Sequence, residues 1–494
     1  MIGSLERKRL RQSQRERQAS AGTALGRVRA IAADPHIYRL AEAVEQLNQI
    51  PAASGGRPRK YPDWCFVVFA ACIRIFGSAS ATGRAFQDAY VWQMVLGQAT
   101  AVLGADATAC IAAMGPGRDH WNYFLRSRIG PEVLHEMTDL QRLLGIERAR
   151  EIGLLRQPGR VPVGSYKREN VVGIDGKVFS SPVRTLETER VNRRTGELRP
   201  VREDPARERY GEGGVEGIVW GTKFAIASVR SPLANQRVIL GLQHFRSSSS
   251  GGEGQVFAKL AEEIASRAPG VHAFTVDGAW RGKHLKEVQA STGCGVITPP
   301  RHQTARRGGI TVGRRSYAAQ PLPWSSRRTK REEACGGHQL WAAAGTLFEQ
   351  VIDVEGNSTF VELPRHQTKR DVTRRTDRNK THQFYAHYSL PCPRTGATHT
   401  WWEPLLPIGS DVSNKFNRCE YLRIVPSLSA EHERLYGMRQ DTESLNAQLE
   451  RAFYGQRIPA WGVHNQTVVV LMAAIAENAW ARQVALDRQH AEAA

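Results

Sequence analysis

The sequence predicts a mixed α/β protein with a helical N-terminal part and a β-rich insertion late in the chain. Three observations predict this class. Apolar residues recur at helical spacing over 62–145, runs rich in β-branched residues alternate with amphipathic segments over 171–300, and aromatic strand-like pieces lie among basic tracts over 301–414. A chain of 494 residues is long enough for about two to four domains.

These changes of pattern set the expected boundaries. We expect a basic helical and linker arm over 1–61, a helical domain over 62–150, the first part of a sheet-forming core over 168–300, a β-rich basic insertion over 301–414, and the second part of the core over 415–494.

The helical domain is predicted from three segments. Pro62 suits the first turn of a helix, and the segment that follows it, 64-WCFVVFAACIRIFG-77, is almost wholly apolar. The segments 82-TGRAFQDAYVWQMVLG-97 and 133-VLHEMTDLQRLLG-145 repeat an amphipathic pattern.

The core is predicted to hold a mixed sheet. Residues 171-VVGIDGKVFSS-181, 217–229 and 236–245 form three strand-like runs, with a charged excursion over 183–214. Helix 255–268, strand 273-AFTVD-277, helix 281–292 and strand 295–300 follow. Three strands and then helix–strand–helix–strand indicate at least one parallel crossover.

The last part of the chain changes pattern again. Residues 347–363 resemble a β-hairpin about Gly356 and Asn357. A long helix is predicted over 430–455, ended by a turn at Gly455. The apolar stretch 467-TVVVLMAAIAENAWA-481 contains Glu477 and Asn478, so it predicts a buried or amphipathic helix and no membrane span.

Charge and cysteine usage limit the partners and the compartment. The chain has 68 Lys and Arg against 48 Asp and Glu, a net charge of +20, which favours polyanions such as nucleic acid. An arginine-rich chain from a GC-rich genome is the alternative. Seven widely spaced cysteines and no secretory signal predict a reducing, cytoplasmic location.

Two acids predict a metal site. Asp175 and Asp277 each follow a buried strand-like run and precede a glycine. Adjacent strands would bring the carboxylates together, where burial and mutual repulsion favour a divalent cation such as Mg²⁺. The alternative for 174-IDGK-177 is a hairpin turn.

A third acid is predicted on the long helix. Tyr436, Arg439, Glu443 and Asn446 are spaced by three, four and three residues, so they lie along one stripe of a helix. The nearby acids Glu433 and Asp441 lie off this stripe. Glu443 is therefore our candidate.

The arrangement resembles DDE transposases of bacterial insertion sequences, whose catalytic domain is RNase H-like. IDGK at 174–177 and VDGAWRGKHL at 276–285 are similar to the first and second acid motifs of that group. One branch carries a helical Tyr-x2-Arg-x3-Glu-x6-Lys motif. Tyr436, Arg439 and Glu443 match it, while Glu450, with Arg451 beside it, stands at the lysine position.

The resemblance implies a function. Asp175, Asp277 and Glu443 would hold two Mg²⁺ ions, for which Mn²⁺ substitutes, and catalyse cleavage and strand transfer of double-stranded DNA. The partners would be terminal inverted repeats and target DNA, bound by a homodimer in the nucleoid-containing cytoplasm. Arg439 would hold a phosphate with Tyr436 packed against it, and Lys177 and Arg451 would also contact DNA.

Further candidates are less specific. The segment 54-SGGRPRKYP-62 favours a basic linker, and the alternative is a minor-groove DNA contact by Arg57 and Arg59. In relatives the insertion supplies an aromatic ring that stacks on a flipped base. The tryptophans available for this role are Trp324, Trp341, Trp401 and Trp402.

One Cys/His set is a candidate for structural zinc. Its members are Cys335, His338, Cys392 and His399, and only the first pair has ligand-like spacing, so loop residues are the favoured interpretation. Two further alternatives concern function as a whole. The chain would be a DNA-binding descendant without activity, or a nuclease that cleaves DNA and never joins it.

Overall fold

The structure, a computed structural model, covers most of the chain. It describes residues 24–48, 59–156, 161–183, 189–191, 195–200, 204–211, 217–233, 235–246, 252–300, 309–323, 338–374, 380–392 and 395–493.

The N-terminal part is helical, as the apolar spacing predicts. Helix α1 covers 24–32, and the next six helices are α2 (Pro35–Leu47), α3 (Asp63–Phe76), α4 (Ala79–Phe86), α5 (Ala89–Leu103), α6 (Arg118–Arg128) and α7 (Pro131–Glu151). Nearly all of α3 is buried, and it ends at Gly77 with a φ of 80°. The amphipathic segment 82–97 is divided between two helices: α4 ends at Phe86, and the carboxylate of Asp88 caps α5 by accepting from Tyr90 and Val91 N–H.

A six-stranded mixed sheet follows. Its strands are β1 (Val171–Ser180), β4 (Glu208–Gly211), β5 (Ile218–Arg230), β6 (Arg237–Phe245), β7 (Ala273–Thr275) and β8 (Gly295–Ile297). One edge of β5 pairs antiparallel with β1, and the other pairs antiparallel with β4 and β6. On the far side of β1, β7 pairs parallel with β1, and β8 pairs parallel with β7.

The connections of this sheet confirm the predicted order of elements. Helix α8 (Glu253–Arg267) joins β6 to β7, and helix α9 (Gly282–Thr292) joins β7 to β8. Between β1 and β5, the charged excursion contains the short hairpin β2 (Glu189–Val191) and β3 (Leu198–Pro200).

The insertion forms two separate sheets. The first contains β9 (Gly309–Val312), β10 (Arg315–Pro321), β11 (Gln339–Ala343), β12 (Thr346–Ile352) and β13 (Ser358–Glu362). The second contains β14 (Arg365–Arg374), β15 (Lys380–Pro391) and β16 (Thr398–Pro404). The predicted hairpin about Gly356 is confirmed, since β12 and β13 pair antiparallel and Gly356 has a φ of 84°.

The last part of the chain is helical, and its long helices pack against the central sheet. Its helices are α10 (Gly409–Ser413), α11 (Arg418–Tyr421), α12 (Ala430–Tyr436), α13 (Gln440–Ala452) and α14 (Gly462–Ala493). A 3-10 turn over Gly437–Arg439 separates α12 from α13, so the predicted helix over 430–455 is interrupted once and ends earlier.

The C-terminal helix α14 is a core helix. By length and composition it could cross a membrane, yet 72% of its apolar window is buried in the protein. Glu477 and Asn478, which interrupt its apolar stretch, are bonded internally: Glu477 pairs with Arg74, and the Asn478 amide bonds both Ile239 N–H (2.7 Å) and Ile239 C=O (2.9 Å). Ile239 lies beside a register shift between β5 and β6, so Asn478 satisfies backbone groups that the ladder leaves there.

Candidate active site

Asp175 lies in the middle of β1. The expectation that it ends a strand is wrong, and so is the hairpin turn considered for 174-IDGK-177. Strand β1 continues to Ser180 because the long β5 pairs with it from Gly173 to Ser180. Asp175 is 9% exposed, with Gly176 N–H bonded to its own carboxylate at 3.0 Å.

The register of two parallel strands brings Asp277 beside Asp175. Gly173 pairs with Thr275, the last residue of β7. Two positions further along each chain stand Asp175 and Asp277, so the acids occupy matching levels at one edge. The half-buried Asp277 carboxylate accepts Ala279 N–H at 2.8 Å, which fixes it in the turn before α9.

Helix α13 lies along β1 in a regular register. Helix positions 442, 446 and 450, which are four residues apart, face strand positions 173, 175 and 177, which are two residues apart. Four helical residues advance about 6 Å and two strand residues about 6.6 Å, so successive pairs stay aligned. The pairs are Thr442 with Gly173, Asn446 with Asp175, and Glu450 with Lys177.

Each of these pairs is a close contact. A Cβ on Gly173 would lie 2.3 Å from Thr442 Cγ2, so only glycine permits this approach. Asn446 Nδ2 donates to Asp175 Oδ2 at 3.0 Å, and Lys177 Nζ lies 2.9 Å from Glu450 Oε2.

Arg439 lies next to two of the three acids. Its Nη1 donates to Glu443 Oε1 at 2.6 Å, and its Nη2 lies 3.8 Å from Asp175 Oδ1. Burial opposes the charged form, but Asp175, Tyr436, Glu443 and Asp277 together raise the pKa of Arg439. The charges of all three predicted acids therefore stabilise the charged form of this guanidinium. The prediction that Asp441 lies off this stripe is confirmed, since it pairs with Arg230 at 2.6 Å.

Tyr436 completes the aromatic side of the site. Its ring stacks on His432 with 5.5 Å between centroids and 14° between planes. Burial raises the pKa of Tyr436, and Arg439 opposes this shift. The phenol therefore stays protonated at neutral pH and is available as a hydrogen-bond donor.

The electrostatics of Asp175 favour a cation. Burial raises the pKa of Asp175 to about 6, with Arg439 lowering it and Asp277 raising it further. Within the part of the chain that the structure describes, the three acids do not converge on one point: the group whose ligand atoms all lie within 4.8 Å is instead His338, Cys392 and His399. Glu443 is the outlying acid, because its side chain is 54% exposed and bonded to Arg439.

The predicted DNA contacts differ in accessibility. Lys177 is 9% exposed and already paired with Glu450, whereas Arg451 is exposed and donates to Ala447 O at 3.1 Å. Arg59 is 44% exposed and lies 3.2 Å from Asp63 at the start of α3. Arg57 lies outside the described residues.

The tryptophans of the insertion also differ in exposure. Trp401 is 6% exposed and donates to Glu403 at 3.0 Å, so its faces are covered. Trp402 and Trp341 are half-buried, and Lys369 Nζ lies 4.7 Å from the Trp402 ring centroid. Trp324 lies outside the described residues.

Sequence reasoning missed the two contacts that seat the helix on the strand. Gly173 and Thr442 carry no catalytic chemistry, and Asn446 was placed on the stripe without a role. The available signal was the matched spacing of 442, 446 and 450 against 173, 175 and 177.

Comparison with known proteins adds no relative. No protein-family model matches this chain, and no curated protein matches it significantly.

Proposed function

We propose that the protein is a DNA transposase of the DDE type, with an RNase H-like catalytic core. The observation that carries the proposal is the meeting of three distant segments. Asp175 lies within β1 and Asp277 lies two residues beyond the parallel strand β7, at a matching level. The helix bearing Glu443 lies along β1, and the charges of all three acids act on Arg439.

The donor set fits hard divalent cations. Three carboxylates are the ligands that Mg²⁺ prefers, and burial of Asp175 makes its ionised form costly without a compensating charge. Asp175, Asp277 and Glu443 would hold the ions, the two aspartates from matching levels of the sheet and the glutamate from the facing helix. When bound, the ions would supply a nucleophile at neutral pH and stabilise the leaving oxygen.

The chain's own residues position the reactants. Asn446 fixes Asp175 by its amide, and Ala279 N–H fixes Asp277. Arg439 would exchange its bond to the exposed Glu443 for a phosphate oxygen of the DNA, since a guanidinium binds both in the same planar geometry. A water oxygen attacks phosphorus and frees a DNA 3′-OH, which then attacks phosphorus in the target strand and displaces another 3′-oxygen.

The charge of the chain supports DNA as the substrate. A net charge of +20 favours phosphate contacts without sequence preference. Two element ends must be cut and joined together, so the active form would be a homodimer on paired terminal repeats.

A cleavage assay tests the proposal. The substrate is DNA carrying the inverted repeats that flank the reading frame, incubated with Mg²⁺ or Mn²⁺. We expect Asp175→Asn, Asp277→Asn and Glu443→Gln each to lower cleavage by about 100-fold or more, the usual loss when a preorganised charge is removed. Glu433→Gln is the matched control, because Glu433 is an exposed acid of the adjoining helix α12.

The outcomes separate the alternatives. Binding of the repeats without cleavage by the wild type would indicate a non-catalytic descendant. Cleaved DNA that is never joined would indicate a nuclease. Undiminished cleavage in all three acid variants would overturn the proposed site.

A further inference from the structure

A second group of ligand-type side chains lies in the insertion, in a different part of the chain from the three acids. One ring nitrogen of His338, the Cys392 sulfur and one ring nitrogen of His399 all lie within 4.8 Å of one another. His338 immediately precedes β11 in the five-stranded sheet, while Cys392 and His399 flank the turn between β15 and β16 in the three-stranded sheet. The group therefore joins the two sheets of the insertion.

The hairpin places two of these residues together. Leu390 pairs with His399 in the register of β15 and β16, so Cys392 lies just beyond the last pair. The turn is closed by Cys392 N–H, which donates to Ala397 O at 2.8 Å, and by Gly396 N–H, which donates to Cys392 O at 3.0 Å. Both side chains are buried, with exposures of 3% for Cys392 and 9% for His399.

The third residue is oriented by a carboxylate. Nδ1 of His338 is hydrogen-bonded to Glu349 on β12. Nε2 of the same ring is buried and has no hydrogen-bond partner of ordinary length among the described residues. Histidine ligands in metal sites commonly give one nitrogen to a carboxylate and the other to the metal. The unpartnered nitrogen therefore has the surroundings of a ligand.

We propose that His338, Cys392 and His399 bind a Zn²⁺ ion that ties the two sheets of the insertion together. One thiolate and two imidazoles suit zinc and not Mg²⁺. In a tetrahedral zinc site, ligand atoms lie about 3.3–3.6 Å apart given bonds of about 2.0–2.3 Å, so the observed spacing needs only small side-chain rotations. The fourth position is taken by a water or by another residue; the sequence places Cys335 three positions before His338, outside the described residues.

Burial argues against a catalytic cysteine here. A thiolate beside a histidine that is held by a carboxylate is also the arrangement of a cysteine nucleophile. A nucleophile must reach its substrate, however, and Cys392 is 3% exposed. A buried thiolate with two nitrogens is suited to a structural ion.

Metal analysis of the full-length protein tests the proposal. We expect the wild type, reconstituted with zinc and dialysed against a weak chelator, to retain one zinc ion per chain. His338→Asn, Cys392→Ser and His399→Asn should each lose it. His387→Asn is the matched control, because His387 is a half-buried histidine of β15, the strand that leads to Cys392, and its ring lies 4.9 Å from that of Trp402. Cys110→Ser controls for binding by an exposed thiol.

Cobalt spectroscopy keeps the test decisive where a ligand variant fails to fold. Wild-type protein loaded with Co²⁺ should show a thiolate-to-cobalt charge-transfer band and tetrahedral d–d absorption, which Cys110→Ser retains. Absence of both features in the folded wild type would overturn the proposal. So would equal zinc retention by the wild type and all three ligand variants.

Discussion

Replacing Gly173 with alanine tests the contact that seats helix α13 on strand β1. The new Cβ would lie 2.3 Å from Thr442 Cγ2, while ordinary carbon contacts are about 3.5–4.0 Å. Thr442 cannot simply rotate away, because its Oγ1 donates to Arg439 O at 2.6 Å. We therefore expect the helix to shift by about 1 Å and the free energy of unfolding to fall by about 1–3 kcal/mol, the usual cost of overpacking.

A second substitution should reverse this loss. Thr442→Ser removes Cγ2 and keeps the hydroxyl, so Gly173→Ala with Thr442→Ser should recover most of the stability measured by urea unfolding. Cleavage should follow the same pattern, since a displacement of about 1 Å at a reacting site costs about 100-fold in rate.

Gly97→Ala is the control for this experiment. Gly97 lies inside α5 and a Cβ there meets nothing within 4 Å, so alanine should stabilise the protein by up to about 1 kcal/mol. A neutral Gly173→Ala variant, or a double variant as unstable as the single one, would refute the proposed packing.

Two further predictions concern charge. Because folding raises the pKa of Asp175 from 3.8 to about 6, the folded protein holds this proton more tightly than the unfolded chain, and stability from this group should fall by up to about 3 kcal/mol as pH rises from about 4 to 6. In urea unfolding, Asp175→Asn should remove this fall of stability with pH. Above pH 6, Mg²⁺ should raise the melting temperature of the wild type and not of this variant. Parallel curves of stability against pH for the two proteins would show that Asp175 is not the titrating group. Lys177→Glu and Glu450→Lys should each lower the free energy of unfolding by about 1–3 kcal/mol, and the variant carrying both changes should regain most of this loss. Additive losses in this double-mutant cycle would show that the two side chains act independently.

Local patterns predicted most of the elements of this protein. The strands at β1, β5, β6, β7 and β8 and the helices between them follow from runs of β-branched residues and from amphipathic spacing, which depend on neighbours in sequence. The break between α4 and α5 was missed because Asp88 sits within an otherwise helical pattern, where its capping role depends on the local backbone conformation.

The position of Asp175 within its strand could not be predicted from local signals. Asp–Gly between two apolar runs is typical of a turn. The strand is kept extended by pairing with β5, where Asp175 lies opposite the sequence-distant Ile226. The closeness of His338, Cys392 and His399 could not be predicted for a related reason: contact between two sheets brings them together, and their spacing in sequence does not show this.

The register of α13 on β1 places Glu450, which stands at the lysine position of the proposed transposase motif, opposite Lys177. The strand offers Lys177 at the level where the helix offers Glu450, and the two groups lie 2.9 Å apart. A lysine at 450 would instead face Lys177, with both ammonium groups largely removed from water. Position 450 therefore carries an acid because the strand already supplies the cation, and the pair continues the same alignment that brings Asn446 to Asp175. The acid at position 450 thus has a compensating charge on the facing strand.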